Sequence, residues 1–343
     1  MNYGKKAWLS GKFGDLMEDF WGEKNVFVTG ADGFIGSWVA KELVEKNANV
    51  VVLVRDLKPD LGFDLHGLRD KITIVKGDLA DLSVLQRAMN EYEIESVFHI
   101  AAQAIVGIAN NSPLSTFESN IKGTWNILEA CRLSANVKRI VVASSDKAYG
   151  IQKELPYTEK SPLLGTYPYD ASKACTDILA RSYFATYGLP VAVTRNANTY
   201  GGGDMNFSRI VPDAIRCLIE GKPFAVRSDG TPQRDYMYVK DAANAYLILG
   251  TALEKKEIHG EAFNFGTEKP VSVLELFEKL AKIAGKPGQK PQILGQAGHE
   301  IGRQFLSAKK AKKMLGWQPK YSLEGGLKET VEWYRKYFSR KTN

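Results

Sequence analysis

The chain has 343 residues, 44% of them hydrophobic and 25% charged, with 13 prolines. That length fits one large α/β domain or two lobes, and the ordinary composition excludes disorder, collagen-like repeats and a small disulfide scaffold. The formal charge of +7, from 46 Lys and Arg against 39 Asp and Glu, raises the question of a polyanionic partner. The basic residues near the C-terminus (Lys309, Lys310, Lys312, Lys313, Lys336, Arg340 and Lys341) fall at helical spacing with apolar residues between them. They read as solvated helix faces rather than a nucleic-acid patch. Cys131, Cys175 and Cys217 lie too far apart for a zinc ligand set or a disulfide framework, which points to a reduced, cytoplasmic protein. No apolar run approaches the roughly 18–20 residues that span a bilayer. The start of the chain, with Lys5, Lys6 and Lys12, lacks a signal-peptide core, so no membrane association is expected.

Residues 1–24 are aromatic and charged without a clear period and read as a helical or irregular arm. Val26–Val28 then leads into Gly30, followed by apolar positions Phe34, Ile35, Trp38, Val39, Leu43 and Val44 at helical spacing, ending near Asn47. Short apolar runs recur at 50–54, 72–75, 96–101, 140–143 and 191–194, separated by helix-period stretches at 82–92, 114–133 and 171–187. Continuous apolar strands alternating with helices predict a parallel sheet covered on both faces, a Rossmann-type doubly wound α/β fold. Beyond residue 194 the alternation loosens. A glycine run at 201–203 precedes a helix near 210–220, strands near 235–239 and 262–265, and helices at 273–284 and 323–338. This predicts a dinucleotide-binding domain over 25–193, with later elements near 235–266, and a smaller C-terminal α/β substrate lobe from 194–234 and 267–343.

Gly30-Ala31-Asp32-Gly33-Phe34-Ile35-Gly36 places three glycines between the first strand and the first helix. Glycine permits the tight turn and a close approach of backbone to a pyrophosphate, and the helix N-terminus supplies free N–H groups. The second strand ends at Arg55-Asp56, where a carboxylate reads an adenosine ribose and an arginine accommodates a 2′-phosphate, so NAD and NADP both remain open. Asp78 and Leu79 close the third strand, with Asp78 placed to meet the adenine edge.

Y-x-x-x-K, the signature of a Tyr/Lys redox couple, occurs four times, at Tyr149/Lys153, Tyr169/Lys173, Tyr236/Lys240 and Tyr337/Lys341. On a helix, residues four apart share a face, whereas in a strand they stand roughly 13 Å apart. Tyr236/Lys240 reads as strand, Tyr337/Lys341 as a frayed terminus, and Tyr149/Lys153 runs into a loop before Pro156. Tyr169/Lys173 opens a strong helical stretch and is selected. A phenol near pKa 10 needs neighbouring positive charge to act as a base at neutral pH, and Ser145 can hydrogen-bond the same substrate hydroxyl.

The stretches at 20–38, VFHIAAQ (97–103), SSDKAYG (144–150), YPYDASK (167–173), NTYGGGD (198–204) and 315–334 resemble the extended short-chain dehydrogenase/reductases of the NAD-dependent epimerase/dehydratase family, and within it the CDP-glucose 4,6-dehydratases. The resemblance implies an enzyme acting on a nucleotide-diphosphate sugar, with Ser145, Tyr169 and Lys173 oxidising carbon 4. It implies Asp146 as the acid and Lys147 as the base or proton relay of a dehydration. Ala101, Ala102, Gln103 and Asn120 match cofactor-lining positions, and Asn198, Arg234 and Arg303 match positions on the substrate diphosphate. It also implies a homodimer formed through helices at about 114–133 and 170–187. A sugar 4-epimerase using Tyr169, Lys173 and Ser145, and a non-catalytic NAD(P)-binding regulator, are the alternative readings.

Overall fold

The computed structural model describes residues 19–296 and 301–342. Most of the arm expected over 1–24 therefore lies outside the described residues, but its end is part of the core. Trp21 is fully buried, with its ring centroid 5.5 Å from that of Phe98.

Seven strands form the central sheet: β1 (Asn25–Thr29), β2 (Asn49–Val54), β3 (Thr73–Lys76), β4 (Ser96–His99), β5 (Arg139–Ala143), β6 (Val191–Asn196) and β7 (Ala262–Phe265). Their order is β7-β6-β5-β4-β1-β2-β3, and every pairing is parallel. Alternate side chains of β1 enter two separate cores. Val26 and Val28 pack with Trp38, Val39 and Leu43 of helix α1 (Phe34–Glu45), whereas Phe27 packs with Leu85 and Met89 of helix α2 (Leu82–Glu91) and with Ile127 and Leu128 of helix α3 (Gly123–Leu133). A period of two along a strand with both faces apolar is what a doubly wound sheet requires. The strand order reverses between β1 and β4, which opens a crevice at the carboxyl ends of those strands.

Three elements depart from the periodicity. The stretch expected as one helix over 114–133 is a short α-helix at Pro113–Phe117, a π-helical segment at Glu118–Lys122, and α3. The strand expected over 235–239 stops at Tyr238, and Lys240 lies in helix Val239–Ala252, because the short aromatic run Tyr236-Met237-Tyr238 gives way to a stretch rich in alanine and leucine. The last helix continues from Leu323 to Thr342, so Tyr337 and Lys341 share a helix rather than a frayed end. Among the described residues no helix is long and apolar enough to cross a membrane.

Candidate active site

Two adjoining cavities open at the carboxyl edge of the sheet. The first, of about 340 Å³, is lined by Gly30, Gly33, Phe34, Ile35, Gly36, Arg55, Asp78, Leu79, Ala101, Ala102 and Gln103, among others. All of these are sequence-selected cofactor residues. Gly30 has φ +79°, and a Cβ there would lie 2.7 Å from the backbone nitrogen of Ala101. A Cβ on Gly36 would lie 2.1 Å from the carbonyl oxygen of Gly30. The glycines therefore let β1, α1 and the end of β4 converge. No side chain caps the N-terminus of α1 at Gly33, so its first-turn N–H groups and positive dipole end face the cavity. This cradle fits the pyrophosphate of a dinucleotide.

At the ribose end, Arg55 Nε donates to Asp56 Oδ2 at 2.8 Å, and both side chains are solvent-exposed. Asp78 Oδ1 accepts from the Ala80 N–H at 2.8 Å, so its turn role and its place on the cavity wall coexist. Asp32, which sequence reasoning passed over, also lines this cavity, and burial pushes its carboxyl above the usual range against the pull of Lys58 and Arg55.

Asn120 stands behind the wall rather than on it. It is buried in the π-helical segment. Its Oδ1 accepts from Gln103 N at 2.7 Å, and its Nδ2 donates to Gln103 O at 3.2 Å and to Ser172 Oγ at 2.9 Å. The widened turn thus aims one amide at two walls and ties the crevice loop to the helix that carries Tyr169.

The second cavity, of about 350 Å³, contains Ser145, Asp146, Lys147, Tyr169, Lys173 and Asn198. Ser145 follows β5 and caps a short 3₁₀ turn over Asp146–Tyr149. Its hydroxyl donates to Asp146 Oδ1 at 3.0 Å and accepts from Lys147 N at 3.2 Å. Tyr169 and Lys173 occupy the first turns of helix α4 (Pro168–Tyr187), one turn apart on the face toward β5. Burial pushes the Tyr169 phenol up to about 12; the Arg209 guanidinium and a hydrogen bond with Ser145 pull the other way. Lys173 is buried, which pulls it down to about 8, and its Nζ donates to the Ala143 carbonyl at 2.7 Å. The Arg209 guanidinium is thus a positive charge that acts on the phenol from outside the Tyr/Lys motif.

Arg209 lines both cavities and donates to Asp204 at 3.0 Å. No spacing signal marked it, because it is brought in from the loop before helix Ile210–Glu220. Three other residues were also missed. Asp170 is pushed up to about 6 by burial, with Lys147 lowering and Asp146 raising it. Asn196, at the end of β6, lines the second cavity with its carboxamide atoms unpaired among the described residues. Gln304 meets Lys147 from far along the chain. Arg234 and Arg303 fall outside both cavity linings and sit on adjoining short strands, Gln233–Arg234 and Arg303–Gln304. Arg303 is exposed, 4.9 Å above the Phe305 ring. Of the discarded tyrosines, Tyr149 is fully buried and bonded to Asn264 and Arg195.

A parallel sheet reversing at a glycine crevice, with a Tyr/Lys helix beside the fifth strand, defines a dinucleotide-binding α/β protein of the Rossmann type. The chain belongs to the NAD dependent epimerase/dehydratase family, whose model matches residues 26–266. The family is NAD dependent, and the crevice residues fit that dinucleotide. Over 320 residues the chain is 34% identical to a trifunctional UDP-glucose 4,6-dehydratase/UDP-4-keto-6-deoxy-D-glucose 3,5-epimerase/UDP-4-keto-L-rhamnose-reductase of Arabidopsis thaliana, a match covering 91% of this chain and 47% of that protein. The chain thus spans about half the length of that relative. It is 29% identical to the CDP-glucose 4,6-dehydratase of Salmonella typhimurium, covering 93% of this chain and 92% of the other. Among solved structures, the UDP-glucose 4-epimerase of Thermotoga maritima with UDP-glucose superposes with a TM-score of 0.84 at 32% identity, covering 92% of this chain and 99% of that one.

Proposed function

We propose that the chain is a nucleotide-diphosphate-hexose 4,6-dehydratase of the CDP-glucose 4,6-dehydratase type, converting its substrate to the 4-keto-6-deoxy sugar with loss of water. The observation that carries this reading is the seating of Asp146 and Lys147 in the same cavity as Ser145, Tyr169 and Lys173. Oxidation at carbon 4 needs only the tyrosine, serine and lysine; an adjoining acid and amine suit the removal of water.

When bound in the cradle of Gly30, Gly33 and Gly36, NAD would supply the two-electron chemistry that carbon 4 and carbon 6 require. Tyr169, hydrogen-bonded to Ser145, accepts the proton of the carbon 4 hydroxyl, and the positive charge of Arg209 favours its phenolate. The resulting ketone acidifies the proton on carbon 5. Lys147 removes that proton, and Asp146 protonates the departing carbon 6 hydroxyl so that it leaves as water. Lys147 returns its proton to carbon 5 as carbon 6 is reduced, and the proton taken up by Tyr169 passes to Asp146, so the carbon 4 ketone is kept and each group regains its starting charge. Asn198, on the cavity wall, and Arg234 and Arg303, on their paired strands, are assigned to the substrate diphosphate, which a planar guanidinium can grip bidentately. In this reading residues 194–234 and 267–343 form the nucleotide-sugar lobe, and the protein is cytoplasmic.

The second part of the proposal is a homodimer. Trp125 and Leu133 of α3 and Ile178 and Tyr187 of α4 are large apolar side chains left substantially exposed on neighbouring helices, as a helical interface between two copies needs. Sedimentation of a monomer would overturn this part alone.

Incubation with CDP-, dTDP-, UDP- and GDP-glucose tests the activity. A 4-keto-6-deoxy product absorbing in alkali is expected from one of them. A product changed only in configuration at carbon 4 makes the chain an epimerase, and no conversion of any sugar makes it a non-catalytic binder.

A further inference from the structure

Gln304 is fully buried, although it lies on a two-residue strand far from the catalytic turn in sequence. Its Oε1 accepts from Lys147 Nζ at 2.6 Å, and its Nε2 donates to the backbone carbonyl of Asp146 at 3.2 Å. One carboxamide therefore holds both members of the acid–base pair. Its backbone is pinned from both sides. Gln304 stands in register with Arg234, and Gln233 N donates to Gly302 O at 2.8 Å. Beyond it, Tyr157 N donates to Phe305 O at 3.0 Å and Ser307 N to Tyr157 O at 2.8 Å.

The chemistry of this grip differs from that of an ion pair. A carboxylate facing Lys147 would hold its proton by charge and oppose its loss. A neutral amide oxygen orients the amine through one hydrogen bond while leaving its charge free to change, and the ammonium keeps two further N–H groups for the cavity. The other half of the amide fixes the turn from which Asp146 projects. A side chain serving only to fill the core would be apolar, since a buried carboxamide is tolerated only where its atoms are paired.

We infer that Gln304 is the positioning residue of the dehydration step, aligning Lys147 with Asp146 through its carboxamide. The inference rests on the dehydratase reading. Arg234, in register with Gln304, is assigned there to the substrate diphosphate, so the same short sheet that receives the diphosphate also fixes the base.

The test uses single-turnover reactions of the full chain, with the reduced nicotinamide followed at 340 nm and the 4-keto-6-deoxy product followed separately. Gln304→Leu removes the polar contacts, and Gln304→Glu keeps shape and burial while placing a carboxylate against Lys147. In Gln304→Leu, oxidation at carbon 4 is expected to proceed within a few-fold of the parent, water loss to slow about tenfold or more, and reduced cofactor to accumulate. In Gln304→Glu, the pH at which water loss reaches its maximum is expected to move upward by about one unit or more, because the lysine proton is then held by charge. If Gln304→Leu does not fold, the pH shift in the near-isosteric Gln304→Glu decides alone. Unchanged step rates and pH dependence, or equal slowing of oxidation and water loss in a folded variant, would overturn the inference. The parent chain separates this from the underlying reading: if it forms no 4-keto-6-deoxy product from any of the four nucleotide sugars, the dehydratase assignment itself fails, whereas an Asp146→Asn variant that loses water as fast as the parent removes only the role of Asp146.

Discussion

Thr29 and His99 share a hydrogen bond of 2.9 Å at the floor of the dinucleotide crevice, and its surroundings fix its direction. Thr29 Oγ1 already accepts from the N–H groups of Ile100 and Ala101, so its own proton goes to His99 Nδ1. The proton of His99 then sits on Nε2 and goes to Thr124 Oγ1 at 3.1 Å, and Thr124 donates in turn to Asn120 O at 2.5 Å. The ring is held neutral, and burial pushes His99 down to about 3.

His66 is likewise pushed down, to about 4, chiefly by burial, with Lys41 adding to the effect. Both folded values lie below the unfolded one of about 6.5. The unfolded chain therefore binds protons that the folded chain refuses, and the stability these rings contribute is present above pH 6.5 and lost as pH falls toward 4 and 3. Each contributes a slope of up to about 1.4 kcal/mol per pH unit. Urea denaturation at pH 7 and pH 5 should show His66→Phe, which keeps a ring against Trp38 at the present 4.6 Å contact, losing less stability on acidification than the parent. Equal losses would contradict a neutral, buried His66.

Substitutions in the second cavity should divide the reaction. Tyr169→Phe is expected to lower oxidation at carbon 4, and with it every later step, by about 10²–10⁴-fold. Asp146→Asn should leave that oxidation within a few-fold of the parent while slowing water loss by about 10²-fold or more. Transient reduced cofactor in the second variant but not the first is the readout.

Two glycines make a matched pair for the crevice. Gly36→Ala drives a methyl to 2.1 Å from the Gly30 carbonyl, and should cost about 1–3 kcal/mol of stability together with NAD affinity measured by calorimetry. Gly107→Ala, in the helix Val106–Asn111 with nothing within 4 Å of the new methyl, should stabilise the protein by about 0.5–1 kcal/mol and leave NAD affinity unchanged.

Arg195 and Asp177 form a buried ion pair between β6 and α4, joined by two hydrogen bonds of 2.7 and 2.9 Å. Asp177→Asn leaves the guanidinium without its counter-charge and should cost about 3–5 kcal/mol. In the fraction that stays folded, the KM for the nucleotide sugar should be unchanged, because neither residue lines a cavity.

The doubly wound sheet was legible because parallel strands buried on both faces read as unbroken apolar runs, and six of them precede residue 200. The glycine crevice was legible for a related reason: Gly36 is forced by backbone contacts with Gly30 and Ala31 inside one strand–turn–helix, while Gly30 meets the backbone of Ile100 and Ala101 at the end of β4. Arg209 and Gln304 were not legible. Each reaches the site from an irregular loop or a two-residue strand, where neither periodicity nor spacing constrains which side chain arrives. Asn120 was placed beside the cofactor by its family motif. Its clamp on Gln103 and Ser172 depends on a π-helical turn that leaves no mark in hydrophobic periodicity. The motif Y-x-x-x-K marked Tyr169 and Lys173, but the Arg209 guanidinium that also favours the phenolate lies outside the motif.

The strand that carries Gln304, like β7, belongs to the last third of the chain, although the residues it serves were laid down near the middle. During synthesis the glycine crevice is available as soon as the first strands can pair. Lys147 finds its partner only once Gln304 has been added, and β6 is covered on its outer edge only once residues 262–265 have been made. The growing chain can thus assemble its dinucleotide cradle well before Lys147 meets Gln304.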